Sequence, residues 1–235
     1  MSIIELKSVT CKADEQVIID DISLKIDNRQ MAIIGANGSG KSTLIRLLNG
    51  LILPDTGNVR VDERSTEGKT GNAIRKDIGF MFQNPEHQII WPMVKEDLIF
   101  SLKNHGYDKA EYEARVDDIL AKLKISYLKE AMSHELSGGE RQLVALAGLL
   151  IIEPKWLIFD EPTAMLDLTN ELNIKNIIRN LKQQVIVVTH DLEWVKDFER
   201  IIWIDKGRIM ADGSGEIVNQ YHQYITAKQA GDYAL

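Results

Sequence analysis

Apolar and polar positions follow two strand patterns along the chain. Ile3 to Val9, Val17 to Ile26 and Val59 to Asp62 largely alternate, which is typical of strands with one face in water. Continuous apolar runs, which are typical of parallel strands covered on both faces, occur at Met31 to Ile34, Ile78 to Phe82, Trp156 to Phe159 and Val185 to Val188. An Asp-Lys-Gly turn at 205–207 between two further apolar stretches predicts a hairpin.

Between these strands, apolar residues recur at helical spacing. The pattern predicts helices over Leu44 to Asn49, Val94 to Asn104, Lys109 to Leu123, Glu140 to Ile151 and from Glu216 onward. Glu63 to Lys76 is polar with no clear period, so we expect a loop with at most a short helix there. Buried strands separated by helices predict an α/β fold with a mainly parallel sheet, and the alternating N-terminal strands predict a small antiparallel layer beside it.

The composition bounds the class of protein. With 235 residues, 44% of them hydrophobic and 27% charged, the chain is an ordinary soluble one. Cys11 is the single cysteine, which excludes an internal disulfide and a multi-cysteine metal site. No secretory signal is visible, and the longest apolar run, Leu143 to Ile152, is about half as long as a bilayer-crossing helix. We therefore expect any membrane association to depend on a partner.

The charge of the chain also limits its partners. The formal net charge is -7 at pH 7. Phosphate backbones are held mainly by Lys and Arg, so this balance argues against a broad nucleic-acid surface, and we expect no nucleic-acid partner.

A glycine-rich segment follows the strand predicted at Met31 to Ile34 and leads into a helix. This is the context of a phosphate-binding loop, in which backbone N–H groups and the helix N-terminus face an anion. Lys41 supplies a positive charge for the β- and γ-phosphates, and Ser42 a hydroxyl for Mg²⁺. The alternative is a turn that only caps a helix. The predicted nucleotide-binding residues are Gly35, Ala36, Asn37, Gly38, Ser39, Gly40, Lys41, Ser42 and Thr43.

Two carboxylates, Asp160 and Glu161, come at the C-terminal end of a predicted buried strand, where ligands bind in open α/β sheets. Asp160 is suited to hold Mg²⁺ through its water shell opposite Ser42, since Mg²⁺ prefers oxygen ligands. Glu161 is suited to orient or deprotonate an attacking water. The alternative is an acidic pair at a strand end in solvent.

A third candidate segment runs from Leu136 through Ser137, Gly138 and Gly139 to Glu140, and we call it the signature segment. Ser137 is the predicted N-cap of the following helix, with Glu140 three positions on, the spacing of a capping box. The segment either caps the helix alone or also offers N–H groups and a hydroxyl to a γ-phosphate.

The order and spacing of these motifs resemble the ATP-binding cassette (ABC) ATPases, from Ile3 to about Ile217. The motifs that carry the resemblance are the phosphate loop, Gln83, the signature segment, Asp160-Glu161, Leu166-Asp167 and His190. The resemblance implies Mg²⁺-dependent ATP hydrolysis on a P-loop core. It places the core, with its antiparallel layer, at 1–84 and 152–235, and a helical subdomain at 85–151.

The resemblance also implies roles for single residues. Gln83 is similar to the glutamine that contacts Mg²⁺ and the attacking water and senses the transport partner; its alternative is a polar strand cap. His190 is similar to the histidine that contacts the γ-phosphate. Asp167 is similar to the loop residue that crosses to the other subunit, although its position alone predicts a helix cap.

In this family the signature segment contacts the nucleotide that is bound by the opposite subunit. The chain carries one complete set of motifs, so the resemblance implies activity only as a dimer, with itself or with a relative. Glu161 and His190 are both present, which disfavours a subunit that binds ATP without turnover.

The segment from Gln83 to Ile90 resembles the ATPases of energy-coupling factor transporters, which import vitamins and metal ions in prokaryotes. This implies an integral membrane partner, together with a separate substrate-binding membrane subunit, and a peripheral location at the cytoplasmic face of the cell membrane. The stretch as far as Trp91-Pro92 is suited to receive a partner's helix; its alternative is a plain surface loop.

Two other functions stay open at this point. One is the ATPase subunit of a cobalt, nickel or other ABC importer. The other is a soluble cassette that acts on nucleic acid or ribosomes, which the acidic balance and the lack of a basic arm count against.

One position departs from the family pattern. Members usually carry an aromatic residue that stacks on adenine about two dozen positions before the phosphate loop, and here Ala13 stands there, with Val17 as an apolar substitute. Stacking of that kind contributes about 1 kcal/mol, so we expect weaker selectivity for adenine with phosphate binding kept. Hydrolysis of GTP relative to ATP should be higher than in a relative that carries the aromatic residue, and an equal or lower ratio would contradict this.

Overall fold

The computed structural model describes residues 1–232. In chain order its strands are β1 (Ile4–Ala13), β2 (Gln16–Ile26), β3 (Gln30–Ile34), β4 (Thr56–Val61), β5 (Arg64–Ser65), β6 (Ile78–Met81), β7 (Trp156–Asp160), β8 (Gln184–Val188), β9 (Arg200–Asp205) and β10 (Arg208–Gly213). Its α-helices are α1 (Lys41–Leu48), α2 (Gly68–Asp77), α3 (Val94–His105), α4 (Tyr112–Lys122), α5 (Gly138–Leu150), α6 (Leu168–Arg179), α7 (Leu192–Val195) and α8 (Glu216–Asp232).

The chain forms two compact units. Met1–Arg75 and the chain from Gln184 on make the first unit, and Lys76–Gln183 makes the second. The helical subdomain predicted at 85–151 lies inside the second unit. The sequence places the boundaries of this subdomain at 84 and 152, where its motifs lie, whereas the two compact units divide at 75 and 184. The subdomain boundaries therefore stay a prediction.

The N-terminal antiparallel layer belongs to the first unit and has the order β2-β1-β4-β5. Ile4, Leu6, Val9 and Cys11 of β1 are buried, as the alternating pattern predicts. The alternation skips a residue between Leu6 and Val9, where the pairing of β1 with β2 shifts register. Ser8 has a φ of 45° at this bulge, which lets the strand keep its apolar side chains on one face.

The parallel strands of the first unit are covered on both faces. β3 pairs in parallel with β8 on one side and with β9 on the other, and β9 forms an antiparallel hairpin with β10. Met31 to Ile34 and Val185 to Val188 have no exposed surface. The continuous apolar runs therefore predicted these strands correctly, and the turn at 205–207 joins the predicted hairpin.

A buried amide fastens the N-terminus to this sheet. Gln184, at the start of β8, accepts the N–H of Ser2 through Oε1 at 2.7 Å. Its Nε2 donates to the carbonyl of Ser2 at 3.0 Å and to that of Asn28 at 3.2 Å. One side chain therefore satisfies backbone groups from two segments distant in sequence.

The second unit combines parallel strands with packed helices. β6 and β7 pair in parallel, with Met81 opposite Phe159. α3, α4 and α5 contact one another through buried apolar faces, and among their buried residues are Leu98, Leu102, Val116, Leu120, Val144 and Leu146. Both units thus contribute parallel strands, and the α/β fold with an antiparallel layer and a helical part is confirmed.

The sequence predicts a loop with at most a short helix over Glu63 to Lys76, and the structure is more regular than that, with β5 and the ten-residue helix α2. Ile74 is the buried apolar residue of α2, so the helix lacks the apolar period that would reveal it. Polar contacts support it instead: Thr70 donates to the carbonyl of Ser65 at 2.7 Å, and Arg75 to that of Gly50 at 2.9 Å.

Within residues 1–232, none of the helices is both long enough and apolar enough to span a bilayer.

Candidate functional site

The phosphate loop lies between β3 and α1, and its backbone conformation requires glycine. Gly35 has a φ of 152°, and a Cβ there would lie 2.2 Å from the carbonyl oxygen of Ile204. Gly40 has a φ of 105°, and a Cβ there would lie 2.8 Å from the carbonyl oxygen of Ile18. The chain can make this close turn only without side chains at these two positions.

Lys41 holds its ammonium group over the same loop. Nζ donates to the carbonyl of Gly35 at 2.8 Å and to that of Ala36 at 2.9 Å, and the residue is 6% exposed. A positive charge is thus already held at the loop before any ligand binds.

The start of α1 fits an anionic ligand. No side chain caps this helix, whose N-cap is Gly40. Ser39 Oγ is buried and has no hydrogen-bond partner within residues 1–232. An uncapped helix N-terminus next to an ammonium group and an orphaned hydroxyl is suited to bind phosphate oxygens.

Neighbouring strands fix the loop in place. The N–H of Gly207, in the turn between β9 and β10, donates to the carbonyl of Ser39 at 2.9 Å. The N–H of Asp20 in β2 donates to the carbonyl of Gly207 at 3.0 Å. The loop therefore keeps its conformation through contacts to the antiparallel layer and the hairpin as well as to its own strand.

His190 belongs to the first unit and follows β8 after Thr189. Burial by the surrounding protein lowers the pKa of its imidazole below 6.5, and the charge of Lys41 lowers it further. Both effects disfavour the protonated ring, so the imidazole is neutral at pH 7. Asp191, the next residue, accepts the N–H of Trp194 and caps α7, which fixes the backbone beside His190.

Asp160 and Glu161 mark the end of β7 in the second unit. Asp160 is 5% exposed, and Glu161 has a φ of 51°, a left-handed conformation that costs a residue other than glycine about 1 kcal/mol or more. β6 lies beside β7 in parallel, and Gln83 follows it by two residues. The sheet topology therefore brings Gln83 to the same edge as the carboxylates.

A residue that the sequence analysis missed fixes the chain after Glu161. Gln142 of α5 is buried, and its Nε2 donates to the carbonyl of Pro162 at 2.6 Å. The signal in the sequence was a single amide directly before the apolar run that starts at Leu143. Through this bond α5 holds the strand end that carries the predicted catalytic carboxylate.

The signature segment forms the predicted capping box at the start of α5. Ser137 Oγ accepts the N–H of Glu140, and the Glu140 carboxylate accepts the Ser137 N–H at 2.9 Å and its hydroxyl at 2.6 Å. The Ser137 hydroxyl and N–H hold the pKa of the Glu140 carboxyl below its usual range. Tyr127, which the sequence did not single out, donates its hydroxyl to the same carboxylate at 3.0 Å.

Asp167 and the signature segment meet through Asn170. Asp167 caps α6 by accepting the Asn170 N–H at 3.0 Å, and it also accepts Asn170 Nδ2 at 2.6 Å. These bonds lower the pKa of the Asp167 carboxyl. A Cβ on Gly139 would lie 2.3 Å from the Asn170 side chain, so glycine is needed for this contact.

The segment after Gln83 is ordered but leaves apolar groups in solvent. Asp97, buried in the first turn of α3, accepts the N–H groups of Ile90 at 2.8 Å and Trp91 at 3.0 Å. Burial raises the pKa of its carboxyl, and the two N–H groups oppose this. Ile90 is 70% exposed and Trp91 43%.

Ala13 and Val17 lie at the end of the hairpin between β1 and β2. Ala13 pairs with Gln16 and Lys12 with Val17, and Val17 is exposed. Ile18, the neighbour of Val17, has its carbonyl close to Gly40. The hairpin end therefore lies near the phosphate loop, and neither residue supplies an aromatic ring.

Residues 1–232 contain no cluster of three or more His, Cys, Asp or Glu side chains arranged to hold a metal. Mg²⁺ does not require such a cluster, because it is usually held by one or two carboxylates with substrate phosphates and water. The hydroxyl of Ser42, the carboxylate of Asp160 and the amide oxygen of Gln83 are donors of the required type.

Comparison with known families agrees with this geometry. The family model described as ABC transporter matches residues 19–164. An ABC transporter ATP-binding protein of Deinococcus radiodurans is 43% identical over 95% of this chain and 99% of its own length. The biotin transport ATP-binding protein BioM of Rhizobium etli is 42% identical over 94% of this chain and 98% of its own length. The energy-coupling factor transporter ATP-binding protein EcfA1 of Halalkalibacterium halodurans is 36% identical over 96% of this chain and 83% of its own length.

Solved structures share the fold over nearly the whole chain. CbiO1 of Clostridium perfringens, part of the ABC transporter complex CbiONQ, superposes with a TM-score of 0.82 at 30% identity and covers 95% of this chain and 93% of its own. An ATP-binding cassette solved as a dimer in a post-hydrolysis state with ADP and Pi has a TM-score of 0.79 at 28% identity. The match covers 90% of this chain and 98% of that cassette.

The phosphate loop, the strand-end carboxylates, the capped signature segment and these relatives lead to one conclusion. The chain belongs to the ABC transporter family and is one of its ATP-binding subunits, an ATPase coupled to transport.

Proposed function

We propose that this chain is the ATP-hydrolysing subunit of an energy-coupling factor type importer that takes up a vitamin or another micronutrient. The observation that carries the proposal is the likeness to BioM, named for biotin transport, which extends over 94% of this chain at 42% identity. The likeness to EcfA1, named for the energy-coupling factor transporter, supports the same class. The transported solute would be selected by another polypeptide.

In this proposal the phosphate loop, Gly35 to Thr43, binds the triphosphate of ATP. Its N–H groups and those at the N-terminus of α1 donate hydrogen bonds to phosphate oxygens, and Lys41 turns its ammonium from the loop carbonyls to the β- and γ-phosphates. His190 donates a hydrogen bond to the γ-phosphate from its neutral ring. Ala13 and Val17 leave the adenine without an aromatic platform.

The metal and the water would be handled by the strand-end residues. Ser42, Asp160 and Gln83 would hold Mg²⁺, which would supply positive charge to the phosphates. Glu161 accepts the proton of the attacking water, and its fixed backbone conformation and the bond from Gln142 to Pro162 hold it in position.

Hydrolysis would require two cassettes that face each other, identical or paralogous. The signature segment starts a helix at the surface, with Ser137 and Gly138 exposed, so a second molecule can reach it. Each nucleotide would lie between the phosphate loop of one cassette and the signature segment and Asp167 of the other. The dimeric relative with bound ADP and Pi supports this arrangement.

The cassettes would bind an integral membrane subunit, accompanied by a separate substrate-binding membrane subunit, at the cytoplasmic face of the cell membrane. The exposed Ile90 and Trp91, held by Asp97, offer a surface for a helix of that subunit.

A second candidate is the ATPase of a metal-ion ABC importer such as one for cobalt or nickel. It is favoured by the structural likeness to CbiO1, which is part of the CbiONQ complex. Both candidates use the same ATPase chemistry and differ in the solute that the membrane subunits carry.

Complementation between two inactive variants tests the shared site. Lys41→Met removes the charge at the phosphate loop, and Gly138→Asp places a carboxylate where the facing phosphate would lie, in a space with no atom within 4 Å. Each variant alone should lack turnover, whereas an equal mixture should recover roughly a quarter of the wild-type rate, since half the dimers have one intact site. The measurement is phosphate release.

The matched control mixes Lys41→Met with a chain that carries both substitutions, which cannot form an intact site. A mixture of the single variants that stays as inactive as this control would contradict the facing arrangement.

Purification from native membranes tests the importer assignment. The wild-type chain should co-purify with an integral membrane subunit, whereas Ile90→Asp should lower the recovered partner at least several-fold by placing a charge on the apolar docking surface. Leu53→Asp is the matched control, because Leu53 is a similarly exposed apolar residue in the other unit. Recovery without any membrane subunit, or equal losses in both variants, would contradict the assignment.

NMR titration of the imidazole tests the link between His190 and Lys41. His190 should titrate below pH 6.5, and Lys41→Met should raise its pKa without reaching 6.5, because burial is the larger of the two causes. Protonation on acidification should therefore begin at higher pH in the variant. Lys206→Met, which removes another lysine of the first unit, should leave the titration unchanged, and an equal shift in both variants would refute a specific effect of Lys41.

A further inference from the structure

One arginine joins the loop after Gln83 to the signature segment. Glu86 lies in a short 3-10 helix, Pro85–His87, and forms an ion pair with Nη1 of Arg141 in the first turns of α5. Nη2 of the same guanidinium donates to the carbonyl of Leu136 at 3.0 Å. The planar guanidinium thus connects a surface loop to the residue just before Ser137.

The three groups become less exposed to solvent from Glu86 through Arg141 to Leu136. The Glu86 side chain is 60% exposed and that of Arg141 is 21% exposed, whereas Leu136 is buried. An open cleft of about 330 Å³ lies at the link, lined by Glu86, Ile89, Ser133, His134 and Arg141. A molecule in this cleft would meet Glu86 first and would reach Leu136 only through Arg141.

The capping box does not perform the same task. Its bonds hold the peptide between Leu136 and Ser137 from one side only, through the Ser137 N–H that Glu140 accepts at 2.9 Å, and they leave the carbonyl of that peptide to another group. That carbonyl is the group that Arg141 holds. Loss of the Glu86 ion pair would therefore loosen one of the two bonds that hold the peptide between Leu136 and Ser137.

We propose that Arg141 is a positioning residue that couples Glu86 to the signature segment, so that the Glu86–Arg141 ion pair tunes how Ser137 meets the nucleotide. The proposal rests on the proposed function in one respect, that Ser137 serves the nucleotide of the facing cassette. With Glu86 in its pair, the Leu136 carbonyl is held and Ser137 is oriented. Without Glu86, the Leu136 carbonyl is held less firmly, and the capping box alone orients Ser137.

The test uses Glu86→Gln, which removes the charge but keeps an acceptor, and Glu86→Lys, which opposes Arg141 with a like charge. Amide hydrogen exchange of residues 136–141 in the nucleotide-free chain should rise about two- to fivefold in Glu86→Gln, the range for a partly exposed pair, and further in Glu86→Lys. kcat for ATP should fall in the same order, while the dissociation constant for ATP stays unchanged because the phosphate loop is intact.

Glu111→Gln is the matched control, since it breaks another pair of the second unit, with Arg115, away from the signature segment. It should change neither exchange at 136–141 nor kcat. Unchanged exchange in both Glu86 variants would overturn the coupling, and raised exchange with wild-type kcat would overturn its role in positioning. A wild-type chain without turnover would count against the proposed function, and the exchange data would still decide whether Arg141 couples the two segments.

Discussion

The Lys41 ammonium is placed in a nearly closed environment, and this constraint shapes the part of the first unit around it. A buried ammonium is unfavourable unless polar groups replace the water it loses, and the carbonyls of Gly35 and Ala36 do so. These carbonyls can turn inward only because position 35 carries no side chain against Ile204. β3, α1 and the hairpin turn at Gly207 meet around this charge, and burial of His190, reinforced by the same charge, lowers the pKa of its imidazole.

Much of this fold could be predicted from the sequence, because apolar periodicity reports burial directly. The runs at Met31 to Ile34 and Val185 to Val188 could only be strands covered on both faces, and they are. α2 could not be found in this way, because Ile74 is buried while polar bonds support the rest of the helix. A helix stabilised by such contacts leaves no periodic signal in its own residues.

In the candidate site, too, the residues found from the sequence are those in local motifs, and the residues missed are those with partners distant in sequence. Local motifs gave the phosphate loop, the capping box of Ser137 and Glu140, and the strand-end carboxylates, because each is defined by residues close together in sequence. Gln142, Tyr127 and Arg141 were missed, although all three contact those motifs. Their partners in or beside these motifs lie 5 to 20 residues away in the chain, and Glu86, the ion-pair partner of Arg141, lies 55 residues away. Packing brings these partners near, and a single polar side chain in the sequence does not indicate which partner it will have.

The bond from Gln142 to Pro162 has a mechanical consequence. α5 begins at the signature segment and, within its second turn, grips the backbone next to Glu161. A helix this short behaves as a stiff rod, so tilting one end must displace the other. In the facing arrangement proposed above, the first residues of each α5 would contact the neighbour's nucleotide, while its Gln142 bonds the backbone beside Glu161 of its own chain. A change at one nucleotide site of the pair would therefore be transmitted mechanically to the other.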